Sequence, residues 1–465
     1  MSEPPAVLPP PEGGFDLHVP LLIVGAGAGG LTAALAAHAE GADALVLEAD
    51  AVPSGSTALS AGLIPAAGTR WQAAAGIADD AETFATDITR KAHGEPDPDL
   101  VASLTGHAAA TLEWLADAHG LPFSIVDDFD YPGHARRRMH GLPTRAGSEL
   151  IDALRAAVEE AGIHIVTERR VTRLHVEDGE VRGVGASLPD GAWEAVGCDR
   201  LVLASNGFGG ARDLVARHMP DIERAVWFGH DGNRGEAVLW AEALGAATRH
   251  LGAYQGHGNV AHPHGILVTW ATVTAGGFQV NAQGRRFWNE AQGYSEAARA
   301  VLAQAGGTAV TVHDARIGAI ARQFEDYRRA EETGAVREFA SIEALADAFG
   351  LPRDALRETA AGVDAMKAGA ADPLGRSFAG SEPLAPPYRA VRVTGALFHT
   401  QGGLDVTGTG RVKRTDGGTL PNLWAVGGAA CGVSGSGDAG YLSGNGLLSA
   451  VVLGRLAGRE AAQSS

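Results

Sequence analysis

The stretch VPLLIVGAGAGGLTAALAAHAEGADALVLEAD, residues 19–50, decides the fold. Residues 21–24 are a short apolar run that reads as a buried strand. Gly25, Gly27 and Gly30 follow in G-x-G-x-x-G spacing, then an Ala/Leu-rich helical pattern, then a second apolar run at 44–47 that ends on Glu48. In such a unit the first glycine permits a tight turn, the second lets a pyrophosphate approach the backbone, and the third lets helix and strand pack closely. The helix N-terminus offers N–H groups and partial positive charge to phosphates. Glu48 stands where a carboxylate binds a ribose 2′-hydroxyl. Between two strands, opening a helix and ending on an acid, the glycine motif reads as dinucleotide binding.

The chain has 465 residues, room for two or three domains or one domain with a large insertion. With 45% hydrophobic and 20% charged residues it has a globular composition. A formal charge of −18 argues against nucleic acid or an anionic membrane surface as partner. Its two cysteines, Cys198 and Cys431, leave no disulfide framework, cysteine zinc site or iron–sulfur cluster, and read as buried fillers. The HPH at 262–264 lacks acidic partners at metal spacing, so no metal is expected. Residues 1–16 lack the basic-then-apolar pattern of a secretory signal and are expected to form a disordered Pro-rich tail. No apolar run reaches transmembrane length, and the cytoplasm is the expected location.

Helical patterns occupy 80–92, 97–119 and 148–161, with an irregular stretch at 127–147. The segment HIVTERRVTRLHVEDGEVRGVGAS, 164–187, alternates like antiparallel strands around an acidic Gly turn, and 199–210 reads as a strand. From about residue 254 to 391 histidines and glycines cluster, then polar helical patterns follow at 341–349 and 352–367. A last helix is expected at 447–461, and the glycines at 435, 437, 440, 444 and 446 argue against a helix before it.

Laid out together, these segments resemble the fumarate reductase/succinate dehydrogenase flavoprotein family, which includes urocanate reductases and 3-ketosteroid dehydrogenases. Beside the glycine fingerprint, the resemblance rests on GSTALSAG (55–62), LVLASNGFGG (201–210), GGFQVNAQGRRFWNE (276–290), FHTQGGLDV (398–406), PNLWAVGG (421–428) and GYLSGNGLLSAVVLGRLAG (440–458). It implies an α/β fold: a Rossmann-type FAD-binding domain at 17–254 and 396–465 with an inserted α+β cap domain at 255–395. It implies FAD as cofactor, held by Gly25, Gly27, Gly30, Glu48, Ser56, Thr57, Ser60, Gly62, Val171, Ala204, Asn206, Gly207, Gly427, Gly444, Asn445 and Leu447. Some relatives attach FAD through a histidine; residues 55–62 contain none, so binding is expected to be non-covalent. Where relatives often carry a carboxylate after the flavin strand, this chain has Gly428.

The departures bear on the reaction. The arginines that donate a proton and clamp a carboxylate in fumarate reductases are replaced here by Tyr294 and Tyr441. A guanidinium grips carboxylates with a charged fork. A phenol, with a reference pKa of about 10, is neutral and suits a ketone oxygen instead. The pair resembles 3-ketosteroid dehydrogenases, with Ser443 in the place of a proton-relay serine. The expected reaction is therefore FAD-dependent desaturation of a cyclic ketone, a 3-ketosteroid or an oxo-cyclohexane such as 4-oxocyclohexanecarboxylate. Tyr294 or Tyr441, relayed by Ser443, removes the α-proton, and the β-hydrogen leaves as hydride to flavin N5. Backbone N–H groups near Gly444–Gly446 are expected to face the developing enolate. His257 and His399 match substrate-contacting histidines; Thr400, Gly444, Arg136 and Tyr131 complete the substrate set. Oxygen, a quinone or a soluble carrier must re-oxidise the protein. The alternatives are an ene-reductase of an activated alkene and a non-catalytic flavin-binding redox sensor.

Overall fold

A computed structural model describes residues 5–127 and 131–464. They fall into two compact units: residues up to His218 with Gly229–Tyr254 and His399–Ser465, and Met219–Phe228 with Gln255–Phe398. Met219–Phe228, assigned from sequence to the first domain, belongs to the second unit because Val226 and Trp227 pair in parallel with Ala396 and Leu397 there.

In the first unit, strand Leu17–Val24 pairs in parallel with Ala44–Leu47 on one side and Trp193–Leu203 on the other. His164–Val166 and Thr419–Ala425 extend the parallel sheet outward. Parallel strands covered on both faces need unbroken apolar runs, and Leu21, Leu22 and Ile23 are fully buried. Helices Ala28–Ala39 and Asn445–Gln463 meet through small residues. A Cβ at Gly454 would stand 2.5 Å from the Gly29 carbonyl oxygen, and one at Gly458 2.2 Å from that of Ala33. The last helix thus begins earlier than its apolar periodicity indicates and takes Gly446 into its first turn. The strand expected at 199–210 runs Trp193–Leu203.

Helices Ala81–Lys91 and Pro98–His119 are capped by Asp80, which accepts from Thr83 N at 2.7 Å, and by Asp97, which accepts from Asp99 N at 3.0 Å. Arg170–Glu177 and Glu180–Ser187 form the expected antiparallel ribbon. The Pro-rich segment, expected to be disordered throughout, contributes a strand: Ala6–Leu8 pairs with Arg173, Leu174 and His175 at the sheet margin. Of the irregular stretch at 127–147, residues 128–130 lie outside the described part, and Met139–Gly141 is a short strand against Ile64–Pro65 and Ser124–Ile125.

The second unit is built on a mixed sheet in which Tyr388–Thr400 pairs antiparallel with Thr308–Asp314 and Arg337–Phe339. Phe278, Val280, Val312, Ile317, Leu345 and Leu356 form its core with helices Ile342–Phe349 and Arg353–Lys367. Trp270 and Trp288 are buried together. Among the described residues no helix is long and apolar enough to cross a membrane.

Candidate active site

At the carboxyl ends of the parallel strands, the first unit holds a cleft. Gly25, Gly27, Glu48, Val171, Ala204, Ser205 and Asn206 line it. The glycines do what their spacing predicts. Gly25 has φ +105°, and a Cβ there would meet the Ala204 carbonyl oxygen at 2.4 Å. A Cβ at Gly30 would meet the Gly25 oxygen at 1.9 Å. Gly27 has nothing nearer than the Thr57 hydroxyl at 3.7 Å, so its backbone is open to a ligand. Glu48 accepts from Ala26 N at 2.7 Å and Asp50 N at 2.9 Å, which pins its carboxylate beside the glycine loop. Thr57 Oγ1 accepts from Ala28 N at 3.0 Å.

Other residues of the expected set shape the cleft rather than face it. Ser60 accepts from Gly62 N and donates to Thr57 O, closing its own turn. Ser56 accepts from Asn233 at 3.2 Å. Gly207 backs onto Thr400, whose Oγ1 would lie 1.9 Å from an added Cβ. Gly427 opens a short 3-10 turn, and Leu447 packs against the core.

Each unit also sets an imidazole against a phenol. In the first, His399 and Tyr441 meet edge to face with centroids 5.5 Å apart. In the second, His257 stacks between Tyr294 at 5.1 Å and Phe398 at 5.4 Å, with Trp270 edge-on at 5.9 Å. Burial pushes the His257 ring down to about 3 and that of His399 down to about 4, so both are neutral at physiological pH. Burial pushes the Tyr441 phenol up to about 12, against the backbone N–H groups of Gly444 and Gly446, which favour its ionised form. Those N–H groups, expected to face an enolate, therefore serve the Tyr441 oxygen in this structure.

Residues 21–447 match the FAD binding domain family. The chain belongs to that family. A probable fumarate reductase of Shewanella frigidimarina is 29% identical over 449 residues, covering 95% of this chain and 74% of that protein. The 4-oxocyclohexanecarboxylate 2-dehydrogenase of Sinomonas cyclohexanicum is 25% identical, covering 94% and 92%. Among solved structures, the open conformation of a flavocytochrome c3 fumarate reductase superposes with a TM-score of 0.83 at 28% identity, covering 97% of this chain and 79% of that one. This flavoprotein is a FAD-dependent oxidoreductase.

The residues present fit the cofactor. Ser205 Oγ, on the cleft wall, and Asn445 Oδ1 are buried with no hydrogen-bond partner, as polar atoms awaiting a ligand are. Gly428 has a structural reason of its own: a Cβ there would stand 2.6 Å from Gly207 N, so the backbone leaves no room for a side chain at this position.

Several cleft residues escaped the sequence reading. Arg169, Arg170, His230 and Glu236 line it. His230 pairs with Asp50 at 2.8 Å, and Arg170 pairs with Glu236. The basic pair after strand His164–Val166 was the available signal; His230 had none, because it reaches the cleft from a separate segment.

The three consecutive arginines at 136–138 divide. Arg138 is sealed from solvent and bonded to Asp79 and Asp87, whereas Arg136 is exposed and donates to the carbonyls of Ala78 and Ala135. His134 bridges from Arg138 to the Ser443 carbonyl, 2.9 Å from its Nε2, and so braces the Tyr441–Gly444 loop. Tyr131 packs beside Leu63, Val126 and Met139. Both cysteines are buried, their thiols pushed up to about 12 by burial.

Proposed function

We propose that this flavoprotein desaturates a cyclic ketone, forming a C=C bond α,β to the carbonyl of a 3-ketosteroid or a small oxo-cyclohexane. The observation that carries this reading is the pairing of a neutral imidazole with a phenol in each unit, His399 with Tyr441 and His257 with Tyr294. Neutral donors suit a neutral carbonyl, whereas a dicarboxylate calls for free guanidinium forks. The arginines buried among the described residues are engaged elsewhere: Arg138 with Asp79 and Asp87, Arg376 with Glu290 and the Val273 and Gly277 carbonyls, Arg389 with Glu331 and Glu338.

Bound FAD supplies the two-electron redox chemistry. Tyr441, whose phenol burial keeps protonated, donates to the ketone oxygen beside His399 and stabilises the developing enolate. Tyr294 takes the α-proton as its own phenolic proton leaves to the relay, and His257 orients it by stacking. Ser443 relays the proton, and Thr400, Gly444 and Tyr131 bound the substrate. Arg136 serves only a substrate that carries a carboxylate. The protein acts in the cytoplasm and returns its electrons to oxygen, a quinone or a soluble carrier.

The greater identity to fumarate reductases supports a second reading, reduction of an activated alkene. One anaerobic experiment separates the two. Under the first, yellow holoprotein is bleached by cyclohexanones, 4-oxocyclohexanecarboxylate or 3-ketosteroids. Under the second, dithionite-reduced protein regains its colour with fumarate or urocanate while ketones leave the oxidised form unchanged. Silence in both arms leaves only a flavin-binding sensor.

A further inference from the structure

Behind His399 runs a chain of buried polar side chains that proton abstraction does not use and that touches the expected cofactor set only at its far end, Asn445. Asn445 Nδ2 lies 3.3 Å from Ser434 Oγ. Ser434 Oγ lies 2.6 Å from Gln401 Oε1. Gln401 Nε2 lies 2.9 Å from His399 Nδ1. Asn445, Ser434 and Gln401 are 0%, 1% and 6% exposed, so water cannot replace any of these bonds.

The donors fall in one direction. The Asn445 amide donates to the Ser434 oxygen, leaving the single Ser434 hydrogen for Gln401 Oε1. That orients the Gln401 amide with its N–H toward His399, and an amide nitrogen can only donate. His399 Nδ1 must then accept, which places the ring proton on Nε2. A competing acceptor for Nδ1 exists, the Thr400 carbonyl at 3.3 Å, but it is the longer contact. A proton on Nδ1 would also point at the Gln401 amino group. The Cε1–Nε2 edge lies over Gly446, where an added Cβ would meet these atoms at 3.0 and 3.2 Å.

We propose that Gln401, held by Ser434 and Asn445, is a positioning residue that fixes His399 as the Nε2–H tautomer and so makes it an obligate hydrogen-bond donor. The far end of the chain explains why the polarity is stable. Asn445 Oδ1 is buried without a partner, so a ligand N–H or O–H that reaches it reinforces the same direction. Reversing every amide would instead present an Asn445 N–H there. The consequence for turnover rests on the reading that His399 meets the substrate; the tautomer itself does not.

The test is nitrogen NMR of full-length protein carrying ¹⁵N-histidine, with and without FAD, the His399 signals assigned by their loss in His399→Gln. Wild type should show an unprotonated, pyridine-like Nδ1 and a protonated Nε2 in both forms. Gln401→Glu, which offers an acceptor in place of the donor, should put a proton on Nδ1. Ser434→Ala, which frees the Gln401 amide to turn, should populate both tautomers. A protonated Nδ1 in wild type, or an Nδ1 indifferent to both variants, overturns the proposal. Turnover is read separately: Gln401→Glu should slow ketone bleaching about tenfold, the worth of about one hydrogen bond. A tautomer that switches without any change in bleaching upholds the proposal and removes His399 from the substrate.

Discussion

Arg138 and Asp87 are joined by a 2.6 Å bond from Nη1 to Oδ2, with both side chains sealed from solvent. Burial alone would raise the Asp87 carboxyl, but the Ala135 N–H and the Arg138 guanidinium overcome it and hold it below the usual carboxylate range. Arg138 also grips Asp79 through Nε and Nη2, at 2.8 and 2.9 Å. Removing one partner strands a buried charge, at a cost of about 3–5 kcal/mol. Arg138→Leu should therefore lower the urea midpoint strongly, while Arg136→Leu, on the surface, should change stability by less than about 0.5 kcal/mol. Equal effects from the two substitutions would contradict the division of the arginine run.

The contact between Gly428 and Gly207 gives a steric prediction. Gly428→Ala forces a methyl to within 2.6 Å of Gly207 N, and backbone cannot yield as a side chain can. Overpacking of this kind costs about 1–3 kcal/mol. Because Gly207 adjoins cleft residue Asn206, FAD occupancy should fall with thermal stability. Flavin absorbance per chain, measured after gel filtration, reports it. Full occupancy in Gly428→Ala would mean that the site has more give than the glycine contacts indicate.

Acid should weaken the fold well before carboxylates titrate. Burial lowers His134, His140 and His399 to about 4 and His257 and His313 to about 3. The unfolded chain, with histidines at about 6.5, takes up protons that the folded chain refuses. Stability is thus complete above about pH 6.5 and is lost as the pH falls toward 4 and then 3, by about 1.4 kcal/mol per pH unit for each histidine. Urea midpoints should drop steeply between about pH 7 and about pH 5. A flat profile across that interval would show that these rings accept protons in the native state.

Tyr294→Phe and Tyr441→Phe each remove one hydroxyl and leave the ring packing with His257 and His399 intact. Each should slow ketone bleaching at least about a hundredfold; Tyr441→Phe also takes the acceptor from the Gly444 and Gly446 N–H groups and should lower the melting temperature. Near-normal rates in both variants would remove the two phenols from the proton transfer, whatever the flavin content.

What could be read from the chain followed the range of the interactions. Residues 21–24 and 44–47 announced themselves because a strand buried on both faces must be apolar throughout. The helical patterns at 80–92 and 97–119 could be read because their spacing is local, and Asp80 and Asp97 cap the helices found there. Glu48 was found by distance from the glycines, and it lines the cleft. The partners of Arg138 were invisible because they stand 59 and 51 residues away, and three consecutive arginines look alike in one dimension. Gln401, Ser434 and Asn445 were hidden for the same reason: their direction is a property of contacts made only after folding. Gly446 was misjudged because glycine opposes helix by propensity, and tertiary packing against His399 outweighs that here.

The short strand Ala6–Leu8 covers the row of amides from Arg173 to His175, and the Pro9 carbonyl lies 2.7 Å from His175 Nδ1 just beyond it. A proteolytic cut in the glycine-containing turn that follows would release that cover and leave a bare margin on which a foreign strand can dock. Clipped preparations should for this reason self-associate on storage even when the flavin remains bound, so an intact leading segment is a condition of handling the protein.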